Sequence, residues 1–106
     1  MNTRKFTFEN DTLKADFEIS EETVLQGMRR TRLKAEASIR QEEDQDKAFL
    51  AMVTFPDLMA TTQGTLKVKG KKEVIKVPDM TFDYFLTLPG QLEAEWEQVV
   101  YELNPH

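Results

Sequence analysis

The chain has 106 residues, a net charge of −5 and no cysteine. That length suits a single domain spanning 1–106, able to bury about two-thirds of its unfolded surface, and the missing thiols exclude disulfides, zinc–thiolate sites and thiol catalysis. The acidic balance argues against nucleic acid as a partner, and no apolar run approaches the ~20 residues of a membrane span.

The opening Met-Asn-Thr-Arg-Lys leads directly into an alternating segment and not into a signal-peptide pattern, so a cytoplasmic protein is expected. Residues 4–19 predict a β-hairpin. Phe6 and Phe8 alternate with polar neighbours, as do Leu13, Ala15, Phe17 and Ile19. Asn10-Asp11 supplies residue types suited to a two-residue turn. A turn there pairs Glu9 with Thr12, Phe8 with Leu13 and Phe6 with Ala15, which puts the apolar side chains on one face.

A helix is expected from Ser20, as N-cap, to about Gln41, with Glu21 and Glu22 in its first turn. Its apolar stripe is Val24, Leu25, Met28, Ala35 and Ile39, interrupted by Arg32. Gly27 costs roughly 1 kcal/mol relative to Ala and leaves room for a close approach. Arg29, Arg30, Arg32 and Lys34 form a basic cluster. It reads either as a partner-binding face or as a solvated face with ion pairs such as Arg32 to Glu36.

Gln41 to Asp46 forms an acidic break. Asp44-Gln45-Asp46 lacks the glycine and closing glutamate of a calcium loop. A second helix, about Asp46 to Thr54, is apolar almost all round through Ala48, Phe49, Met52, Val53 and the following Phe55, which suggests burial. Pro56 predicts a kink followed by a short segment. Residues 65–78 predict a lysine-studded hairpin: Leu66 and Val68 go out, Gly70-Lys71-Lys72 turns, and Val74, Ile75 and Val77 return. Such a strand edge deters foreign pairing, and the same segment could equally be a loop that orders on a partner.

From Thr81, a cap, to the end there are five acids and no base, with both Tyr and the only Trp. Phe82, Phe85 and Leu88-Pro89-Gly90 precede an amphipathic helix whose stripe is Leu92, Trp96, Val99, Val100 and Leu103. Buried aromatics dominate core energetics, so the rest of the fold is expected to pack on this unit, with Trp96 in the core. The basic 61–80 stretch beside this acidic helix also offers charge complementarity for self-association. The fold class is therefore α+β: an N-terminal β-hairpin, central helices with a proline kink, a short basic β-hairpin and a C-terminal amphipathic helix.

Material for catalysis is sparse. The only histidine is His106, serine occurs only at 20 and 38, and the isolated glycines form neither a P-loop nor a dinucleotide fingerprint. No enzyme activity, cofactor or metal is expected, and binding is the expected function.

Several clusters in order are similar to the small tail assembly chaperones of siphophages and their prophages. They are Val24-x-x-Gly27-Met28-Arg29-Arg30-x-Arg32-Leu33-x-Ala35-Glu36-Ala37, Phe55-Pro56-Asp57-Leu58-x-Ala60-Thr61-Thr62, Phe82-x-x-Phe85-x-x-Leu88-Pro89, Trp96, and Leu103-Asn104-Pro105-His106. The resemblance runs from about residue 20 to the end. It implies a non-enzymatic factor that holds the helical tape measure protein and recruits major tail protein subunits. The partner-binding residues it suggests are Arg29, Arg30 and Arg32 on the basic helix, with Tyr84, Tyr101 and Leu103 in the C-terminal unit. Some members of that family also exist as a longer frameshifted product. Glu42, Glu43, Asp44, Asp46 and the C-terminal acids motivate an alternative, an acidic inhibitor or regulator of a host protein; a structural tail or head adaptor is a third option.

Overall fold

The computed structural model describes residues 2–105; His106, the last residue of the resemblance, lies outside them, as does Met1. The fold is α+β. Strands β1 (Thr3–Glu9), β2 (Leu13–Ser20), β3 (Thr62–Val68) and β4 (Val74–Lys76) form one antiparallel sheet in that order. Alternation sends Phe6, Leu13, Ala15, Phe17, Ile19, Thr62 and Leu66 inward, where they are buried. Lys5, Thr7, Lys14, Asp16, Glu18, Gln63 and Lys67 stand on the solvent face.

The N-terminal hairpin forms, but in a register displaced by two residues from the expected one. Glu9 pairs with Lys14, Phe8 with Ala15 and Phe6 with Phe17. Asn10 explains the difference. Its Oδ1 accepts from the backbone N–H groups of Thr12 and Leu13 at 2.8 and 2.7 Å, which builds a longer loop than a two-residue turn. The third strand also claims the returning residues: Lys69 N–H donates to Thr12 O at 2.8 Å, and Leu13 pairs with Val68.

Helix α1 spans Val24–Arg40. Its cap is Thr23, not Ser20, because β2 continues through Ser20. Thr23 and Gln26 form a reciprocal capping box: Gln26 N–H donates to Thr23 Oγ1 at 3.2 Å, and Thr23 N–H donates to Gln26 Oε1 at 2.8 Å. Glu21 and Glu22 precede the helix and do not occupy its first turn. The space beside Gly27 is taken by the Glu22 carboxylate, 2.9 Å from where a β-carbon would sit.

A continuous helical rod follows, made of α2 (Gln45–Phe49), a π-wound stretch (Leu50–Thr54) and α3 (Phe55–Thr61). The expected break at Pro56 is absorbed by this winding. Proline lacks an N–H and its ring crowds the carbonyl four residues back. The π turn moves the hydrogen bonding there to five-residue steps, so Phe55 N–H donates to Leu50 O. Every residue of α3 is buried.

The basic hairpin begins at Thr62, three residues earlier than expected, and turns at Gly70 (φ 84°). Its return strand is short. Val77 leaves the sheet in a 3-10 turn, Val77–Asp79, and is fully buried. Thr81 caps α4 (Phe82–Phe85), accepting from Tyr84 N–H at 3.1 Å. Helix α5 spans Gly90–Leu103 and buries Leu92, Trp96 and Val100.

The layers follow from these faces. Helices α5 and α3 lie on the inner face of the sheet, and α1 packs over α3 and the π-wound stretch as an outer layer. The core is a run of aromatic rings. Phe6 stacks on Phe17, Phe17 lies 4.7 Å from Trp96, Trp96 meets Phe85 edge-on, and Phe85 touches Phe55 and Phe82. Trp96 is fully buried and its indole N–H donates to Thr62 Oγ1 at 2.8 Å, satisfying the one polar group that its burial would otherwise leave unpaired. No helix among the described residues is long and apolar enough to cross a membrane.

Candidate protein-docking face on α1

Helix α1 turns its apolar stripe outward. Val24 is 85% exposed, Leu25 76%, Met28 65% and Ile39 80%, and Arg32 and Ala35 are exposed as well. The face packed on α3 is the opposite one, carrying Gln26, Arg30, Leu33 and Ala37, and of these only Ala37 is buried. The stripe expected to face the core therefore faces solvent. The inner face works with little apolar area because polar contacts hold it. Arg30 donates from Nε and Nη2 to the Glu22 carboxylate at 2.8 and 3.0 Å and lies 3.8 Å from the buried Asp57.

Leu25, Met28, Arg32, Ala35 and Ile39 are spaced by three, four, three and four residues. This is the a/d spacing of a coiled-coil seam, with Arg32 at its central a position. At about 1.5 Å per residue the seam runs roughly 21 Å along the helix. Its N-terminal half opens into a groove of about 500 Å³ floored by Leu25, Met28 and Ala60 and edged by Arg29, Arg32 and Gln63. Four of the six large apolar side chains exposed among the described residues stand on this one face. Contiguous exposure of that kind marks interaction surfaces.

The basic cluster splits into separate roles. Arg30 is tied into the interior network with Glu22 and Asp57, and the Glu22 hydrogen bonds raise its pKa above the ordinary guanidinium value. Arg29 donates from Nη2 to Pro78 O at 2.7 Å, and its Nε is buried without a hydrogen-bond partner. Burial, then the neighbouring Arg32, lowers the Arg29 pKa, while Asp79 opposes the shift. Arg32 is the cation most open to a partner, with only a long 3.9 Å approach to Glu36.

The C-terminal candidates lie elsewhere. Tyr101 donates its O–H to Asp57 Oδ2 at 2.8 Å. Burial first, then that hydrogen bond, raises its phenol pKa well above the ordinary value. Tyr84 and Leu103 are half-buried against the core. Of the six residues, Arg29 and Arg32 share the groove, Arg30 and Tyr101 converge on Asp57, and Tyr84 and Leu103 support the core edge. Among the C-terminal acids Glu102 pairs with Arg4, and Glu93 and Glu97 lie against each other.

Leu25, Met28 and Ile39 were legible as a stripe but not as a docking surface. The signal available was the charged residue at the middle of the stripe, where a core-facing helix would place an apolar one. Asn104 was also missed. Its Oδ1 accepts from Glu22 N–H at 2.8 Å and its Nδ2 donates to Ser20 O at 3.0 Å, so it pins the β2–α1 connection to the end of α5. Comparison of the chain with protein-family models, curated proteins and solved structures finds no match.

Proposed function

We propose that the protein is a non-enzymatic tail assembly chaperone of a phage or prophage, acting in the host cytoplasm. It holds the tape measure protein through the outward seam of α1 and presents it to major tail protein subunits. The observation that carries this reading is the seam itself, Leu25, Met28, Arg32, Ala35 and Ile39 at coiled-coil spacing and exposed. A long helical client displays apolar seams of the same period, and a single outer helix engages one stretch of such a seam at a time. One helix face offers modest area, which suits repeated and reversible holding better than permanent assembly. Arg32, and Arg29 beside it, would select client segments with acids flanking the seam.

The test is co-expression with the tape measure and major tail proteins of the same genome, followed by pull-down and light scattering. The reading expects the tape measure to be recovered soluble in complex with the parent chain, and Met28→Glu with Ile39→Glu to lose it. If the tape measure is unaffected by the parent chain, the proposal fails. If the double variant still holds it, the client binds elsewhere than on α1.

A further inference from the structure

The α1 seam is complementary to itself when two copies run antiparallel. The outward charges along it are Arg32 at the centre and Glu36 one turn toward the C-terminal end, both exposed, whereas Arg29 is half-buried and donates to Pro78 O. The other basic residues of α1 are turned away or engaged: Arg30 on Glu22, Arg40 over the Phe82 ring, and Lys34 at the inner edge. A parallel pair in register would stack Arg32 on Arg32 at the centre of the seam, forcing two guanidinium groups together out of water. An antiparallel pair removes that conflict.

We infer that, without a client, the α1 seam is covered by the same seam of a second copy, antiparallel. Antiparallel coiled coils layer an a residue on a d residue. Of the registers with this layering, the one that sets Met28 on Ile39 of the second copy also sets Arg32 on its Ala35, each twice by symmetry, and spares Met28 a charged neighbour across the seam. The small Ala35 leaves the space that the long Arg32 stem fills, and the guanidinium then reaches Glu36 of the second copy in place of the loose 3.9 Å contact within its own helix. In this register pairing takes Met28 and Ile39, 65% and 80% exposed, from water together, while Val24 and Leu25 fall beyond the end of the second copy's helix. A single pair of 17-residue helices buries less than the roughly 1,200 Å² of a standard interface. The dimer is accordingly weak, with dissociation on the order of micromolar, so that a partner of higher affinity displaces the second copy.

This inference concerns the chain alone and does not depend on the identity of any client. Light scattering over a concentration series from about 1 to 500 µM is expected to pass from monomer to dimer mass. Met28→Glu with Ile39→Glu is expected to stay monomeric while its circular dichroism and melting temperature match the parent, because both side chains are exposed. A parent that is monomeric throughout, or a double variant that still dimerises, overturns the proposal. The chain has no cysteine, so orientation is read directly. Under oxidising conditions a mixture of Met28→Cys and Ile39→Cys chains is expected to give the mixed disulfide far more than either chain alone. Preferential Met28→Cys homodimers would indicate a parallel pair and overturn the inference.

Discussion

At the scale of single residues, two positions are constrained in opposite ways. Gly64 has φ 127°, and a β-carbon there would fall 2.2 Å from the Asp16 carbonyl oxygen and 2.9 Å from Phe17 Cα. Both neighbours are backbone of the adjacent strand, so nothing flexible yields. Gly64→Ala is expected to cost about 3 kcal/mol or more in urea denaturation, and a variant with the parent's midpoint would refute that account. Glu93 stands in the first turn of α5, where burial, and then Glu97, push its carboxyl from an ordinary 4.5 up to about 7. The folded state therefore keeps a proton that the unfolded chain has released, and stability falls as pH rises from about 4.5 to about 7. The side chain is only partly buried, so screening cuts the effect to less than about 1 kcal/mol, or a few degrees of melting temperature in a domain of this size. Glu93→Gln should flatten that decline. Melting curves that fall equally in both proteins between acidic and neutral pH would place the titration elsewhere.

At the scale of elements, the sequence pattern carried the type of nearly every segment and lost the geometry wherever two arrangements share a pattern. In the N-terminal hairpin the apolar residues repeat every two positions, so a displacement of two leaves all of them on the core face. Only the Asn10 loop and the claim of β3 on Thr12 and Leu13 decide between the registers. Pro56 was legible as a disturbance, but not as one that a π turn accommodates, because the choice between kink and π winding rests on how α3 packs. The α1 stripe was legible as amphipathic, yet periodicity alone does not say which side meets the protein. That choice falls to Arg30, which pairs with Glu22 and Asp57 from segments far apart in sequence. The start of α1 was misplaced because Ser20 and Thr23 are equally good cap residues, and only the reciprocal Gln26 distinguishes them. Thr23→Ala should therefore lower stability by about 1 kcal/mol, measured by denaturant midpoint, whereas Ser20→Ala should not match that loss through helix capping.

At the scale of the molecule, the order of layers explains why a docking face exists. The sheet is covered by α3 and α5, and α3 is covered by α1, so among the described residues α1 is the outermost layer. An apolar seam in that position destabilises neither core nor sheet, and its chemistry is free to serve association. The same layering separates the two halves of the candidate residue set. Arg29 and Arg32 belong to the outer helix, whereas Tyr101 belongs to the layer beneath and is tied to α3 through Asp57.

The polar knot at the β2–α1 connection has a topological consequence. Asn2 O accepts from Glu21 N–H at 3.0 Å, and Asn104 Oδ1 accepts from the next residue's N–H, Glu22, at 2.8 Å. The beginning and end of the described chain thus meet on adjacent residues, and the backbone traces a nearly closed ring. Its order around that ring matters more to the fold than where the ring is cut. The exposed turn at Gly70-Lys71-Lys72, with open space around Gly70, is the natural second place to cut. A circular permutant that starts at Lys71 and joins the original ends through a short glycine linker is expected to keep the parent's circular dichroism and cooperative melting. Collapse of that permutant would mean that the free ends themselves, not only their proximity, hold the structure together.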